Sequence, residues 1–327
     1  MRGLNAMREK KAFAQRTHTR NTDEVRKKYF LVYEGAETED IYFEGVNENR
    51  QKIGINPLIE LVPMTRSYSE EGWSNPKKIL DRVMKNLYEN KTGQISYETL
   101  MNWVMDYFYD EGILTTSKVR KRSMWQTLEW FCTQKLGVDK SDVVGDLEKA
   151  CEEIARYLEE EASMENVIDD VPKIIRDRAI TYAEGIDKIC FIFDRDKESF
   201  VSKPENNQYE YVLNTCKENG FGFYLTNPCF EFWLLLHFDD ISDLVPSELL
   251  ENRKVRTKRR YTEQMLREKM SSNKSNYNKS SYDVGWFIER IDTAIQNEKK
   301  YCEGEDELEH AIGSRIGVLI QELRATE

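Results

Sequence analysis

No run of eighteen apolar residues occurs in this chain of 327 residues, so no transmembrane helix is expected. The charged N-terminus lacks an apolar signal core, which argues against secretion and for a cytoplasmic protein. Cysteines 132, 151, 190, 216, 229 and 302 contain no C-x-x-C pair. Several sit in apolar surroundings and read as reduced core thiols. His18, His237 and His310 have no paired ligand spacing, which argues against zinc. No G-x-x-x-x-G-K-[S/T] element is present, so an ATPase would have to be a separate subunit. Basic residues are outnumbered, 48 against 59, for a net charge of −11. That is awkward for a nucleic-acid enzyme unless its cations are locally concentrated.

What is present suits one large or two modest domains, at about 150 residues each. The hydrophobic share of 39% is enough to bury a core. The run Tyr29-Phe30-Leu31-Val32-Tyr33 reads as a buried strand leading into Glu34-Gly35-Ala36-Glu37-Thr38-Glu39. Gly35 lets the backbone turn, and Thr38 is placed to cap a helix near 38–51 carrying Tyr42, Phe43 and Val46. Glu34 then stands at the carboxyl edge of a sheet, where open α/β folds build their sites. A second strand, Ile189-Cys190-Phe191-Ile192-Phe193, ends in Asp194-Arg195-Asp196. If the two strands are parallel neighbours, Glu34, Asp194 and Asp196 converge, and crowded carboxylates are the signature of a Mg²⁺ site, with Mn²⁺ as a substitute. Two-metal phosphodiester hydrolysis needs such oxygen ligands around cations about 3.5–4 Å apart. Arg195 would point either away or toward a phosphate.

These residues resemble the opening motif of the RloB-like proteins, a branch of the TOPRIM superfamily. The resemblance rests on Glu34-Gly-Ala-Glu-Thr38-Glu39 with Tyr42-Phe43, on Phe193-Asp-Arg-Asp196, and on Thr226-Asn-Pro-Cys-Phe-Glu-Phe-Trp-Leu-Leu-Leu-His-Phe238. Weaker echoes lie at Lys274 to Lys279 and in Ser314 to Ile320. The long segment between the two strand motifs matches nothing in that pattern. The resemblance implies a TOPRIM-like α/β fold, with a mostly parallel sheet flanked by helices. It also implies a nuclease effector of bacterial anti-phage defence, often beside an AAA/ABC-type ATPase partner. In such a site Glu34 is either a metal ligand or the general acid/base. Glu231 gains a site role from its place in the family block. A carboxylate among Phe230, Phe232 and Trp233 is costly unless paired or metal-bound; the bland alternative is a helix-dipole partner. Glu37 and Glu39 follow the same logic more weakly, Glu37 as a candidate for a second ion. His237, after three leucines, reads as a hydrogen-bonded core histidine rather than a general base.

Along the chain, residues 1–27 read as a flexible basic arm and 28–76 as the first half of the α/β domain, with a strand Leu58 to Val62 and an exit loop Met64 to Asn75. Residues 77–183 read as a helical insertion, from Ile79, Val83 and Leu87, from Leu147, Cys151, Ile154 and Leu158, and from Trp103, Tyr107, Phe108, Trp125, Leu128 and Phe131 between them. Its aromatic stripes suit a helical core, and also a surface for a homodimer or an ATPase. Residues 184–327 supply the second half: a helix from Glu205 to Asn219, a strand from Phe221 to Leu225, and a helix through Phe238 with Asn227 as its cap and Pro228 in its first position. Arg253 to Ser281 reads as a helix followed by a mobile loop, and helices near 282–299 and 306–325 close the domain.

Cations concentrate in three places: nine Lys/Arg among residues 1–28, the block Lys118-Val-Arg-Lys-Arg122, and Arg253, Lys254, Arg256, Lys258, Arg259 and Arg260. Together they suggest a phosphate-binding track for a nucleic-acid substrate, DNA or RNA, tRNA included, with Arg256, Lys258, Arg259 and Arg260 as contacts. Lys274 and Lys279, flanking Tyr277, are equally readable as scissile-phosphate contacts or as a solvated loop. The rival function is a degenerate TOPRIM domain acting as a protein-binding toxin or adaptor, against which the joint presence of Glu34, Asp194 and Asp196 argues. A primase or topoisomerase role lacks a zinc module and an obvious catalytic-tyrosine domain.

Overall fold

The computed structural model describes residues 27–33, 37–64, 75–110, 118–160, 182–196, 200–257 and 259–325. Residues 1–26 of the expected N-terminal arm, Glu34, most of the exit loop and Lys258 lie outside the described residues, as do the side chains of Lys118, Arg120 and Lys121; Lys27, the arm's expected last residue, instead opens the first strand. The chain divides into two compact units, one holding Arg82–Tyr182 and one holding Glu24–Thr65, Ser74–Asp81 and Ala183–Glu327.

The second unit is built on a five-stranded sheet. Its strands are β1 (Lys27–Tyr33), β2 (Ile59–Met64), β3 (Lys188–Asp194), β4 (Gly222–Asn227) and β5 (Gly313–Ser314), in the order β5-β4-β3-β1-β2. The first four run parallel and β5 is antiparallel to β4. Near-continuous apolar runs are what a parallel sheet covered on both faces requires. On one face Tyr29, Leu31, Cys190, Ile192 and Tyr224 join a core with Tyr42, Phe43, Trp233 and Leu319. On the other, Phe193 meets Phe200 and Phe223, and Tyr209 of the helix Gln208–Asn219 packs on Phe223. That helix is capped by Asn207, whose side chain accepts the Glu210 N–H.

Three local expectations are overturned. The helix Thr38–Glu48 starts at Thr38 itself, whose hydroxyl donates to the Lys279 carbonyl at 3.3 Å instead of capping, and the helix ends three residues short of 51 before a separate turn Arg50–Ile53. Asn227 is no cap either. It is the last residue of β4, its amide donates to the Leu308 carbonyl at 2.7 Å, and a cis bond joins it to Pro228. The next helix therefore begins only at Phe230 and ends at Leu235. Finally, the segment after Arg253 is not a helix with a loop. It is a two-stranded ribbon, Lys254–Arg256 against Arg259–Arg260, then the helix Tyr261–Ser272, then a second ribbon, Tyr277–Asn278 against Ser281–Tyr282. Tertiary partners claim the polar side chains in the first two cases, and strands of two or three residues carry no readable period in the third.

The first unit is helical, with Tyr97–Asp110, Lys118–Phe131 and Leu147–Glu160 around a core of Leu100, Val104, Phe108, Trp125, Leu128, Cys151, Ile154 and Leu158. The stripe read from the sequence is thus its buried face.

Glu298, at the end of the helix Ile291–Glu298, is wholly buried in the sheet unit. Its Oε1 accepts the Gly317 N–H at 2.9 Å, while Oε2 has no hydrogen-bond partner among the described residues. Burial, outweighing the Gly317 and Ser314 hydrogen bonds, pushes its carboxyl from 4.5 up to about 7. A carboxyl raised on folding stabilises fully below its unfolded value, and that contribution is lost as pH rises through the folded one. Stability should therefore fall between about pH 4.5 and 7 by about 2–3 kcal/mol from this group. Urea midpoints across this range are expected to decline in the natural chain and to flatten in Glu298→Gln; parallel curves would contradict the assignment.

Candidate active site

Asp194 closes β3 in register with Thr226 of β4, and Tyr33 closes β1 in register with Ile192. The carboxyl ends of three adjacent parallel strands thus lie along one edge, where open α/β sheets place their ligands. Asp194 Oδ1 accepts the Phe230 N–H at 2.8 Å. Because the helix Phe230–Leu235 has no side-chain cap of its own, Asp194 satisfies one of its first amides from across the sheet. The same bond fixes Glu231, the next residue, beside this edge.

Glu231 is buried, its side chain 3% exposed, and is paired with Lys279 Nζ at 2.6 Å. Tyr277 donates its hydroxyl to the same oxygen at 3.3 Å. Burial opposes ionisation of Glu231, but Lys279 and the Cys229 thiol hold its carboxyl below the usual range. Burial likewise opposes the Lys279 ammonium, and Glu231, Cys229 and Asp194 together overcome it and hold its pKa up. The Cys229 thiol is pushed far up by burial and by Glu231 and Asp194, so it stays protonated. The ribbon that presents Lys279 is fastened to the start of the helix Thr38–Glu48, since Tyr282 donates its hydroxyl to the Thr38 carbonyl at 2.7 Å.

Asp196 is half-buried, with the Arg260 guanidinium 4.0 Å away. Arg195 turns away from this edge: it donates to the Phe200 carbonyl at 2.9 Å, lies over Phe200 and Tyr209, and approaches Glu309 at 3.8 Å. Glu37 is exposed and Glu39 buried. Lys274 is exposed, at a left-handed backbone position with φ of 58°. His237 is the core residue its surroundings suggest: Tyr42 Oη lies 3.1 Å from Nε2 and the Trp233 carbonyl 3.0 Å from Nδ1. Burial pushes its pKa down to about 3, which leaves it neutral.

The structure therefore gathers Asp194, Glu231 and Lys279, with Asp196 and Arg260 alongside. Glu34 follows Tyr33 in the chain but lies outside the described residues. The parts that Tyr277, Cys229 and Thr38 play at this edge escaped sequence reasoning because they come from contacts between residues far apart in the chain. The carboxylate oxygens of Asp194, Asp196 and Glu231 match a hard divalent cation in donor type. Among the described residues no three His, Cys, Asp or Glu side chains come together as a metal-holding group.

No curated protein and no solved structure matched this chain. A family model did, over residues 29–323, which spans both strand motifs, the Asp194 edge and the ribbon carrying Lys279. By that match the chain belongs to the RloB-like protein family.

Proposed function

We propose that this RloB-like protein is a metal-dependent nuclease whose active centre is the carboxyl edge of β1, β3 and β4. The observation that supports it best is the parallel pairing of β1 with β3 and of β3 with β4. This pairing sets Asp194 and Tyr33 at one edge, with the helix bearing Glu231 bonded to Asp194. In this reading Asp194, Asp196 and Glu34 hold Mg²⁺ or Mn²⁺, with Glu34 as ligand or as general acid/base. The bound cation supplies Lewis-acid polarisation of a phosphoryl oxygen and a nucleophile at neutral pH. Glu231 positions Lys279, whose half-exposed ammonium offers a charge to the phosphate. The substrate is DNA or RNA, and a separate ATPase subunit controls the reaction.

A second reading has some support from the Glu231–Lys279 pair, because a carboxylate neutralised by an internal cation also suits a non-catalytic adaptor. Incubation of end-labelled tRNA and duplex DNA with Mg²⁺, Mn²⁺ or EDTA, with and without the ATPase, separates the two. Products are expected only with a divalent cation. No product under any condition, or equal cleavage in EDTA, would remove the nuclease reading.

A further inference from the structure

The ribbon Lys254–Arg260 concentrates cations in a way its own fold does not favour. Lys254 pairs with Arg260 and Arg256 with Arg259 across the two strands. Like charges directly opposite each other destabilise a strand pair. Two of the four are offset from within the protein. Arg259 Nε lies 3.5 Å from Glu263 and its Nη1 donates to Gln264 at 2.9 Å. Arg260 approaches Asp196 at 4.0 Å and donates to the Asn252 carbonyl at 3.4 Å. The other two, Lys254 and Arg256, are exposed and have no ion-pair partner among the described residues.

The ribbon is also rigidly rooted. Asn252, buried and left-handed with φ of 44°, ends the helix Pro246–Glu251. Its Oδ1 accepts both the N–H and the hydroxyl of Thr262, at 3.0 and 2.9 Å. Its amide donates to the Cys229 sulfur at 3.7 Å, next to Glu231. The ribbon is thus joined to the carboxylate edge at two points, Cys229 and Asp196.

We propose that this ribbon is a grip for a nucleic-acid backbone, in which Lys254 and Arg256 take phosphates while Arg259 and Arg260 hold the ribbon against the active centre. Lys254 and Arg256 are two residues apart with a register shift between them, a spacing of about 6.6 Å along a regular strand and less at a bulge, and charge recurs every ~3.4 Å of axial rise on a nucleic-acid strand. Each outer cation therefore reaches a phosphate of its own. A polyanion of repeating charge answers the uncompensated side of the ribbon, and attachment at Asp196 leads that polyanion to the site. The inference deepens the proposed function but needs only its binding half, not cleavage.

Equilibrium binding of labelled tRNA and duplex DNA in EDTA, over a range of salt, tests it in the full chain. The double variant Lys254→Ser/Arg256→Ser is expected to flatten the slope of log affinity against log salt by about 1.4–1.8. It should also bind on the order of tenfold more weakly at 0.1 M salt. Arg259→Ser should leave the slope unchanged. An unaltered slope in the double variant, an equal change in Arg259→Ser, or no binding by the natural chain would each overturn the grip. So would ribbon-dependent capture by phosphatidylserine vesicles in place of nucleic acid. Intact, ribbon-dependent binding in EDTA, with no cleavage once Mg²⁺ or Mn²⁺ and the ATPase are added, would sink the nuclease reading and leave the grip standing.

Discussion

Asp194→Asn is expected to lower cation-dependent cleavage by about 10²–10³-fold, since a cation that stabilises charge in phosphoryl transfer supplies several kcal/mol. The choice of asparagine matters because Asp194 has two tasks. Its Oδ1 also receives the Phe230 N–H, and an asparagine oxygen can keep that bond while the charge is lost. Asp194→Ala removes both, and should cost about 1 kcal/mol of stability on top of activity, as loss of a helix cap does. Relief of repulsion among neighbouring carboxylates would by itself raise the melting temperature of the alanine variant. The amide contact predicts the opposite sign. Thermal melting without added metal, read beside single-turnover cleavage, distinguishes the two tasks. Equal activity in Asp194→Asn and the natural chain would remove Asp194 from the chemistry.

The second large effect concerns Lys279. Removing one partner of a buried pair leaves the other charge uncompensated, at a cost of roughly 3–5 kcal/mol when both are fully buried. Lys279 is half exposed while Glu231 is 3% exposed, so water partly replaces the ammonium and about 1–3 kcal/mol is expected for Lys279→Met. Glu231→Gln should cost less. Its amide oxygen still accepts from Tyr277, and the freed Lys279 can turn to solvent. Denaturant melts of the two single variants and of Glu231→Leu/Lys279→Met measure this asymmetry, the double variant being expected to recover much of the loss. If Lys279→Met is as stable as the natural chain, the pair does not organise the edge and Lys279 is not positioned by Glu231.

The sheet was legible because β1 and β3 are buried on both faces, so their apolar runs stand out against a charged chain. The same reasoning placed Asp194 at a strand end and marked Glu231 as needing a partner. It left that partner open between a metal and an ion pair, and the partner present is Lys279, 48 residues further along the chain by its number. Thr38 and Asn227 look like caps in isolation, but their polar atoms are taken by Lys279 and Leu308. The real partner of the Phe230 amide comes from a different strand, which no local pattern encodes. The basic run hid its ribbon for another reason. Its strands are too short for alternation to show, and the division into inner and outer cations depends on Glu263, four residues after Arg259, and on Asp196, which only the fold brings near Arg260. His237 was readable because the unbroken leucine run before it is wholly buried and leaves a histidine no water.

If the carboxylates at this strand edge hold a divalent cation, as proposed, calorimetric titration of Mn²⁺ into the full chain detects it without a substrate or an activating subunit. Saturable binding is expected, lost in Asp194→Asn/Asp196→Asn while the variant stays folded. Binding of equal strength in that variant, or none in the natural chain, would contradict it.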